Sequence, residues 1–372
     1  MKYPATVLNF AGEANLAPYA QFRDYYNHYR VNFEGAKNLE FSVTDDKGLP
    51  ITFEEKEALM NASLKREILR VSGIQNFTEF PLAQMATHPM LGWATFAVVS
   101  QMIDMILPET IIDSIGMYTD VRTIGWGDSA LFEVEPKDIF AVSKAGRAQR
   151  STEIHKQFRG NVSIVPEARE LTVGVSLYRV LSGHESLAIF VSKVIRSMET
   201  QVTLDAYDAF AAAMAALPTT ATTGLQVAGY TQASLVRLCQ QVGAWNGGAK
   251  PIIMGTQLAL ASVLPDDANY RYDLQGSDFM KLGYVRTAFG YDIMALPQVA
   301  DHRTEWAMRL DNDRLWIVSP SAQKLLKLVL EGSTVSYTDN IYDNANLLQR
   351  STILKSYGVG VATNSIAGIM TL

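Results

Sequence analysis

A chain of 372 residues, 48% apolar and 19% charged, can bury a substantial core and is long enough for two domains or one elaborated one. That balance excludes a disordered polymer, and a net charge of −6 argues against tight nucleic-acid binding as the main activity. The single cysteine, Cys239, excludes an intramolecular disulfide and a cysteine-rich metal site, which fits assembly inside a cell.

The N-terminus has no charged-then-apolar signal pattern. Residues 1–90 read as an appended arm, broken at Pro4, Gly12, Pro18, Gly35, Gly48 and Pro50. A tyrosine cluster (Tyr19, Tyr25, Tyr26, Tyr29) gives it an aromatic face with little core of its own, so it needs another surface to lie on. One half-solvated helix is signalled there: Thr52 caps it, Glu55 completes a capping box, and Gly73 ends it. Residues 91–120 read as a helix and a lead-in strand. The apolar run Met90–Leu107 is marginal as a membrane span, is interrupted by Ser100, Gln101 and Asp104, and closes at Pro108, so it reads as a buried helix. The pattern turns to strand from Ile111.

Residues 121–165 predict an extended hairpin. Val121, Thr123, Ile124 and Trp126 lead to a Gly127-Asp128 turn and then to Leu131-Phe132-Glu133-Val134. Between 144 and 160 come Lys144, Arg147, Arg150, Lys156 and Arg159 against one acid, Glu153, with only Ile154 and Phe158 as sizeable apolar side chains. Such a stretch cannot fill a core. It is either a solvated surface or a projection that reaches a neighbouring subunit. The chain returns through Val162–Pro166 and a cleanly alternating strand, Leu171, Val173, Val175, Leu177.

The longest uninterrupted pattern follows, from Glu185 to Leu217. Leu187, Phe190, Val191, Val194, Met198 and Val202 recur at three- and four-residue steps and share one helical face. Lys193, Arg196, Glu199, Thr200 and Thr203 fall on the other side, and Pro218 stops the run. At 1.5 Å per residue the helix is about 50 Å long, which suits a strut along one edge of a domain. Beyond it lies a mixed α/β region: a helix over Tyr230–Val242 with Cys239 on its packing face, a buried strand Ile252-Ile253-Met254, and a helix from Thr256. Two strands within Tyr284–Leu296 and another at Leu315–Val318 follow, then a helix from Ser319-Pro320 through Leu330. Two final strands, Tyr357–Ala362 and Gly368–Met370, are expected to return to the sheet beside the long helix.

Motifs for chemistry are missing. The five histidines lie far apart with no HExxH, and neither GxxxxGK[ST] nor GxSxG occurs. Gly358-Val-Gly360 lacks the third glycine and following helix of a pyrophosphate loop, and Asp311-Asn312-Asp313 lacks the glycine and later Glu of a calcium loop. No catalytic, cofactor or metal residue is assigned. A chain of this size without a site motif leans toward structural work.

The order of parts resembles the HK97-fold major capsid proteins of tailed bacteriophages, an α+β fold. Family-like text supports this in IGWGDSALFEVEPKDIFAVSKAG entering the extended loop, in PIIMGTQLALASVLPD and in RLWIVSPSAQKLLKLVLEG. The resemblance implies an N-terminal arm (1–90), an extended loop (121–165), a peripheral domain with the spine helix (166–218 and 333–372) and an axial domain (219–332). It implies no enzyme and no cofactor. The implied product is a homo-oligomer of hexameric and pentameric capsomers in an icosahedral virion shell, assembled in the host cytoplasm and touching packaged double-stranded DNA weakly and non-specifically. Portal, scaffolding or decoration proteins are the further partners implied, and no membrane is. Some relatives crosslink a loop lysine to a neighbour's asparagine, for which Lys144 or Lys156 with Asn340, Asn344 or Asn346 are the residues to compare. Two rival readings are an encapsulin-like nanocompartment shell and a soluble α/β enzyme without a recognisable motif.

Overall fold

The computed structural model describes residues 16–34, 52–74, 88–115, 119–135, 159–217, 224–263, 282–301, 307–319, 324–338 and 349–372. The fold is α+β.

Three helices come first: α1 (Leu16–Glu34), α2 (Phe53–Ser72) and α3 (Pro89–Ile115). The cap of α2 forms as the sequence indicates, with Thr52 and Glu55 in a reciprocal capping box and Gly73 left-handed at φ 73°. The N-terminal segment, expected to need another surface to lie on, finds one on its own chain. Phe22, Tyr25, Tyr26 and Tyr29 of α1 and Met60, Leu64 and Ile68 of α2 join one core with α3. The aromatic cluster is a packing face. Helix α3 does not end at Pro108 but carries it inside, and the next strand starts at Thr119 rather than Ile111. An interior proline costs about 3 kcal/mol, but Met105, Ile106, Leu107 and Ile111 are all buried around it and hold the helix together. By length and composition this helix could cross a membrane, and 78% of its apolar window is buried inside the fold.

Helix α4 (Leu177–Leu181) precedes the long α5 (Leu187–Ala215), which lies against a four-stranded sheet of order β1-β12-β13-β4. Strand β1 (Thr119–Ile124) runs parallel to β12 (Leu326–Thr338); β13 (Gln349–Val361) is antiparallel to both β12 and β4 (Glu167–Val175). The helix expected through Leu330 is therefore strand from Leu326. Leu326, Leu328 and Leu330 face the main core while Val329 faces the other side, so the run is apolar on both faces. A strand buried on both faces has no period-2 signal to distinguish it from a helix.

The second sheet has six strands in the order β5-β14-β11-β6-β8-β7. Its strands are β5 (Gln226–Ala228), β6 (Ile252–Gly255), β7 (Thr287–Ala288), β8 (Tyr291–Ala295), β11 (Arg314–Val318) and β14 (Ala367–Thr371). A small antiparallel pair, β9 (Ala300–Asp301) and β10 (Ala307–Met308), lies between β8 and β11 in the chain. The two tail strands thus part company. Strand β13 joins the sheet beside α5, as expected, but β14 goes to the second sheet. Gly368 allows this, because a Cβ there would press on Leu238 at 3.0 Å. Leu238 belongs to α6 (Gln232–Trp245), which covers this sheet with α7 (Gln257–Ala261). Alternate residues of β11 tie the two cores together: Leu315 and Ile317 enter the core of the second sheet, Trp316 and Val318 the main core. Cys239 is buried on α6, and burial pushes its thiol up to about 12, so it packs rather than reacts.

Candidate assembly surface: the hairpin and the spine

Strands β2 (Ala130–Val134) and β3 (Gly160–Ile164) form an antiparallel hairpin. The predicted loop residues Lys144, Arg147, Arg150 and Lys156 lie outside the described residues, as do Asn340, Asn344 and Asn346. Arg159 is described. It is exposed at the loop end of the strand pair, 3.9 Å from Glu133 on the opposite strand, an arrangement worth about 0–1 kcal/mol.

The root of the hairpin is seated tightly. Phe132 and Ile164 are buried against Val329 of β12. The Arg122 guanidinium stacks 4.2 Å over the Phe132 ring, with the Lys327 ammonium 5.6 Å from the same ring. Gly358 and Gly360 of β13 form a notch for Ile164: a Cβ at Gly358 would sit 2.8 Å from both Ile164 Cγ2 and the Val165 carbonyl oxygen. The turn into the hairpin is also fixed, since the Gly127 amide donates to the Glu331 carboxylate at 2.8 Å and the Trp126 indole occupies the space a side chain at Gly332 would need. At the same root the side chains of Leu131, Val165 and Trp126 stay exposed, Val165 at 76%. Because a backbone oxygen limits the notch, Gly358→Ala should force the root off the sheet. A cost of about 1–3 kcal/mol is expected from such overpacking, read as a lower thermal midpoint with unchanged far-ultraviolet circular dichroism; an unshifted midpoint would show that the notch is loose.

The spine α5 is capped by Ser186, and Asn61 of α2 adds a second cap by accepting from the Ala188 amide at 3.0 Å. Leu187, Val191, Val194, Met198 and Val202 are buried, and Phe190 is half-buried against the same core. Sequence periodicity missed Ile195, Ala206, Tyr207, Phe210 and Met214, which extend the buried face along the helix. It also placed Glu199 on the solvated side, whereas Glu199 is buried beneath α1. There the Tyr26 hydroxyl donates to it at 3.1 Å and Arg30 lies at 3.7 Å. Burial first, and then the Glu199 charge, push the Tyr26 phenol well above its ordinary value.

Two more carboxylates hold the layers together. Asp205 of α5 accepts from Tyr357 at 2.7 Å and from Arg169 at 3.2 Å, both on the sheet. Asp104 of α3 is buried and accepts from the Thr334 amide at 2.9 Å, its hydroxyl at 2.5 Å and the Lys355 ammonium at 2.8 Å. Lys355 also donates to the Gly332 carbonyl at 2.8 Å, which pins the bulge between Glu331 and Val335.

Among the described residues no group of three or more His, Cys, Asp or Glu is placed to hold a metal. Asp311 and Asp313 instead pair with Arg314 at 3.2 and 3.9 Å. The arrangement is one of anchored projections and locked layers.

Against known proteins, residues 45–371 match the family described as "SPbeta prophage-derived putative capsid protein YonB". No curated protein matches the chain. Among solved structures, the mature capsid of bacteriophage PhiM1 is 11% identical with a TM-score of 0.43, covering 68% of this chain and 85% of that one. The capsid of an empty GTA particle is 12% identical with a TM-score of 0.45, covering 70% and 96%. The virus-like particle of Pyrococcus furiosus is 10% identical with a TM-score of 0.37, covering 71% and 95%.

Proposed function

The chain belongs to the YonB family of SPbeta prophage-derived capsid proteins, and from that premise we propose that many copies, as hexamers and pentamers, tile an icosahedral head shell around double-stranded DNA. The protein is structural, and we read it as having no enzymatic role. The hairpin root carries this reading: its clamp on β12 and β13 holds the strands at a fixed angle while Leu131 and Val165 remain exposed. A subunit-to-subunit contact needs such a rigid projection. In this reading the four-stranded sheet with α5 forms the peripheral domain and the six-stranded sheet the axial domain. The shell is built in the host cytoplasm and becomes part of the virion.

The cations Lys144, Arg147, Arg150, Lys156 and Arg159 then meet acidic surface on an adjacent copy. Single exposed ion pairs contribute about 0–1 kcal/mol, but a shell repeats each contact many times, and complementary charge guides subunits into register. Changing Arg147, Arg150 and Arg159 to Glu should leave the subunit folded by circular dichroism while shells fail to form, or form only in a narrow salt range. Assembly like the parent's across a salt titration, seen by electron microscopy, overturns the role given to the loop. A parent chain that stays monomeric at every concentration and turns over a small molecule overturns the shell itself. Contact with packaged DNA is weak and non-specific in this reading, and sub-micromolar, sequence-dependent binding in a gel shift at physiological salt contradicts it.

A further inference from the structure

Strand β12 separates α3 from the hairpin. Leu326, Leu328 and Leu330 face the core that α3 belongs to, and Val329 faces Phe132 and Ile164. The bulge between Glu331 and Val335 is gripped from both of these faces. On the core side the Lys355 ammonium donates to the Gly332 carbonyl and to Asp104, each at 2.8 Å, and Asp104 also accepts the Thr334 amide. On the hairpin side the Glu331 carboxylate accepts from the Gly127 amide at 2.8 Å, and the Trp126 indole lies over Gly332. Gly332 is left-handed at φ 52°. Glycine moves freely between backbone regions, so the bulge keeps one shape through its contacts rather than through its own sterics. The other polar hold on the hairpin backbone, from Arg122 to the Leu131 carbonyl at 3.0 Å, is exposed.

We propose that Asp104 and Lys355 are positioning residues for the hairpin: gripping the bulge from the core side, they set the direction in which β2 and β3 leave the sheet. A change at α3 then passes to the hairpin through Gly332 and its neighbour Glu331, along a continuous line of hydrogen bonds. The part this plays in assembly rests on the shell reading; the coupling inside one subunit does not.

Hydrogen exchange of the full, unassembled chain tests this, with the rate over residues 127–134 read against that of the paired strands β4 and β13 in the same sample. Asp104→Asn combined with Lys355→Met removes both charges and leaves an amide oxygen for Thr334. It should raise the hairpin-to-sheet ratio about tenfold. Glu331→Ala, on the opposite face, should raise it as much, and the two changes together should add little more, as for groups in one network. Glu331→Gln keeps an acceptor for Gly127 and should restore most of the protection. Thr334→Val removes only the hydroxyl contact to Asp104; it lowers stability and should leave the ratio unchanged. A ratio that rises as far in Thr334→Val reports general loosening and overturns the proposal, as does a parent-like ratio in the Asp104→Asn, Lys355→Met variant. If that variant does not fold, Glu331→Ala decides alone. Coupling is reciprocal, so exchange over residues 332–335 must rise there, and an unchanged rate overturns the proposal. A parent chain that never assembles removes the shell reading while these ratios still decide the coupling.

Discussion

Replacing Val194 and Met198 together by Asp should abolish the folded subunit. Both side chains are buried on the core face of α5. Each substitution removes about 1.5–3 kcal/mol of apolar burial and buries a charge without a partner, at several kcal/mol per ion. The two together reach the 5–15 kcal/mol that holds a domain of this kind. The double variant should therefore be recovered as aggregate, with its cooperative thermal transition gone. Ser197→Asp, on the exposed side of the same turn, should change stability by no more than about 0.5 kcal/mol. A soluble, assembling double variant would mean that α5 shows this face to solvent.

Asp104→Ala is expected to have the next largest effect. It strands the Lys355 ammonium, which is buried, and leaves the Thr334 amide without its acceptor. Removing one partner of a buried ion pair costs about 3–5 kcal/mol, so the urea midpoint should fall sharply while the slope stays constant. Combining Asp104→Leu with Lys355→Met removes both charges and should recover part of that loss. It will not recover all of it, since the Thr334 amide still lacks a partner. A loss under about 1 kcal/mol in Asp104→Ala would show that water reaches the site and that the network does not bind α3 to the sheet.

These two sites differ in how far they can be read from sequence. The spine was legible because a long helix with one buried face repeats its signal over many turns. Glu199 escaped because its partners, Tyr26 and Arg30, lie more than 160 positions away in the chain, and periodicity is blind to such pairings. Asp104 read only as an interruption in an apolar run, for the same reason: its partners Thr334 and Lys355 are supplied by strands near the other end of the chain. Strand β12 was mistaken for a helix because both its faces are covered, by the main core and by the hairpin root. The hairpin itself was visible in its turn residues and β-prone flanks. Its seating was not, since a glycine notch such as Gly358 and Gly360 shows only once the facing Ile164 is in place.

The position of β14 also bears on the order in which the subunit can be made. Strand β14 lies between β5 and β11, and β5 reaches its sheet only through β14. Residues 367–371 leave the ribosome after every strand they join. Until translation has passed them, β11 has an open edge and Leu315, Ile317 and the α6 face lack their cover from Met370. The helices and the spine can form on the nascent chain, but the second sheet cannot close. Each unfinished copy on a message therefore presents an open strand edge and uncovered apolar side chains, the features that make incomplete chains prone to associate, and docking of β14 removes both at once.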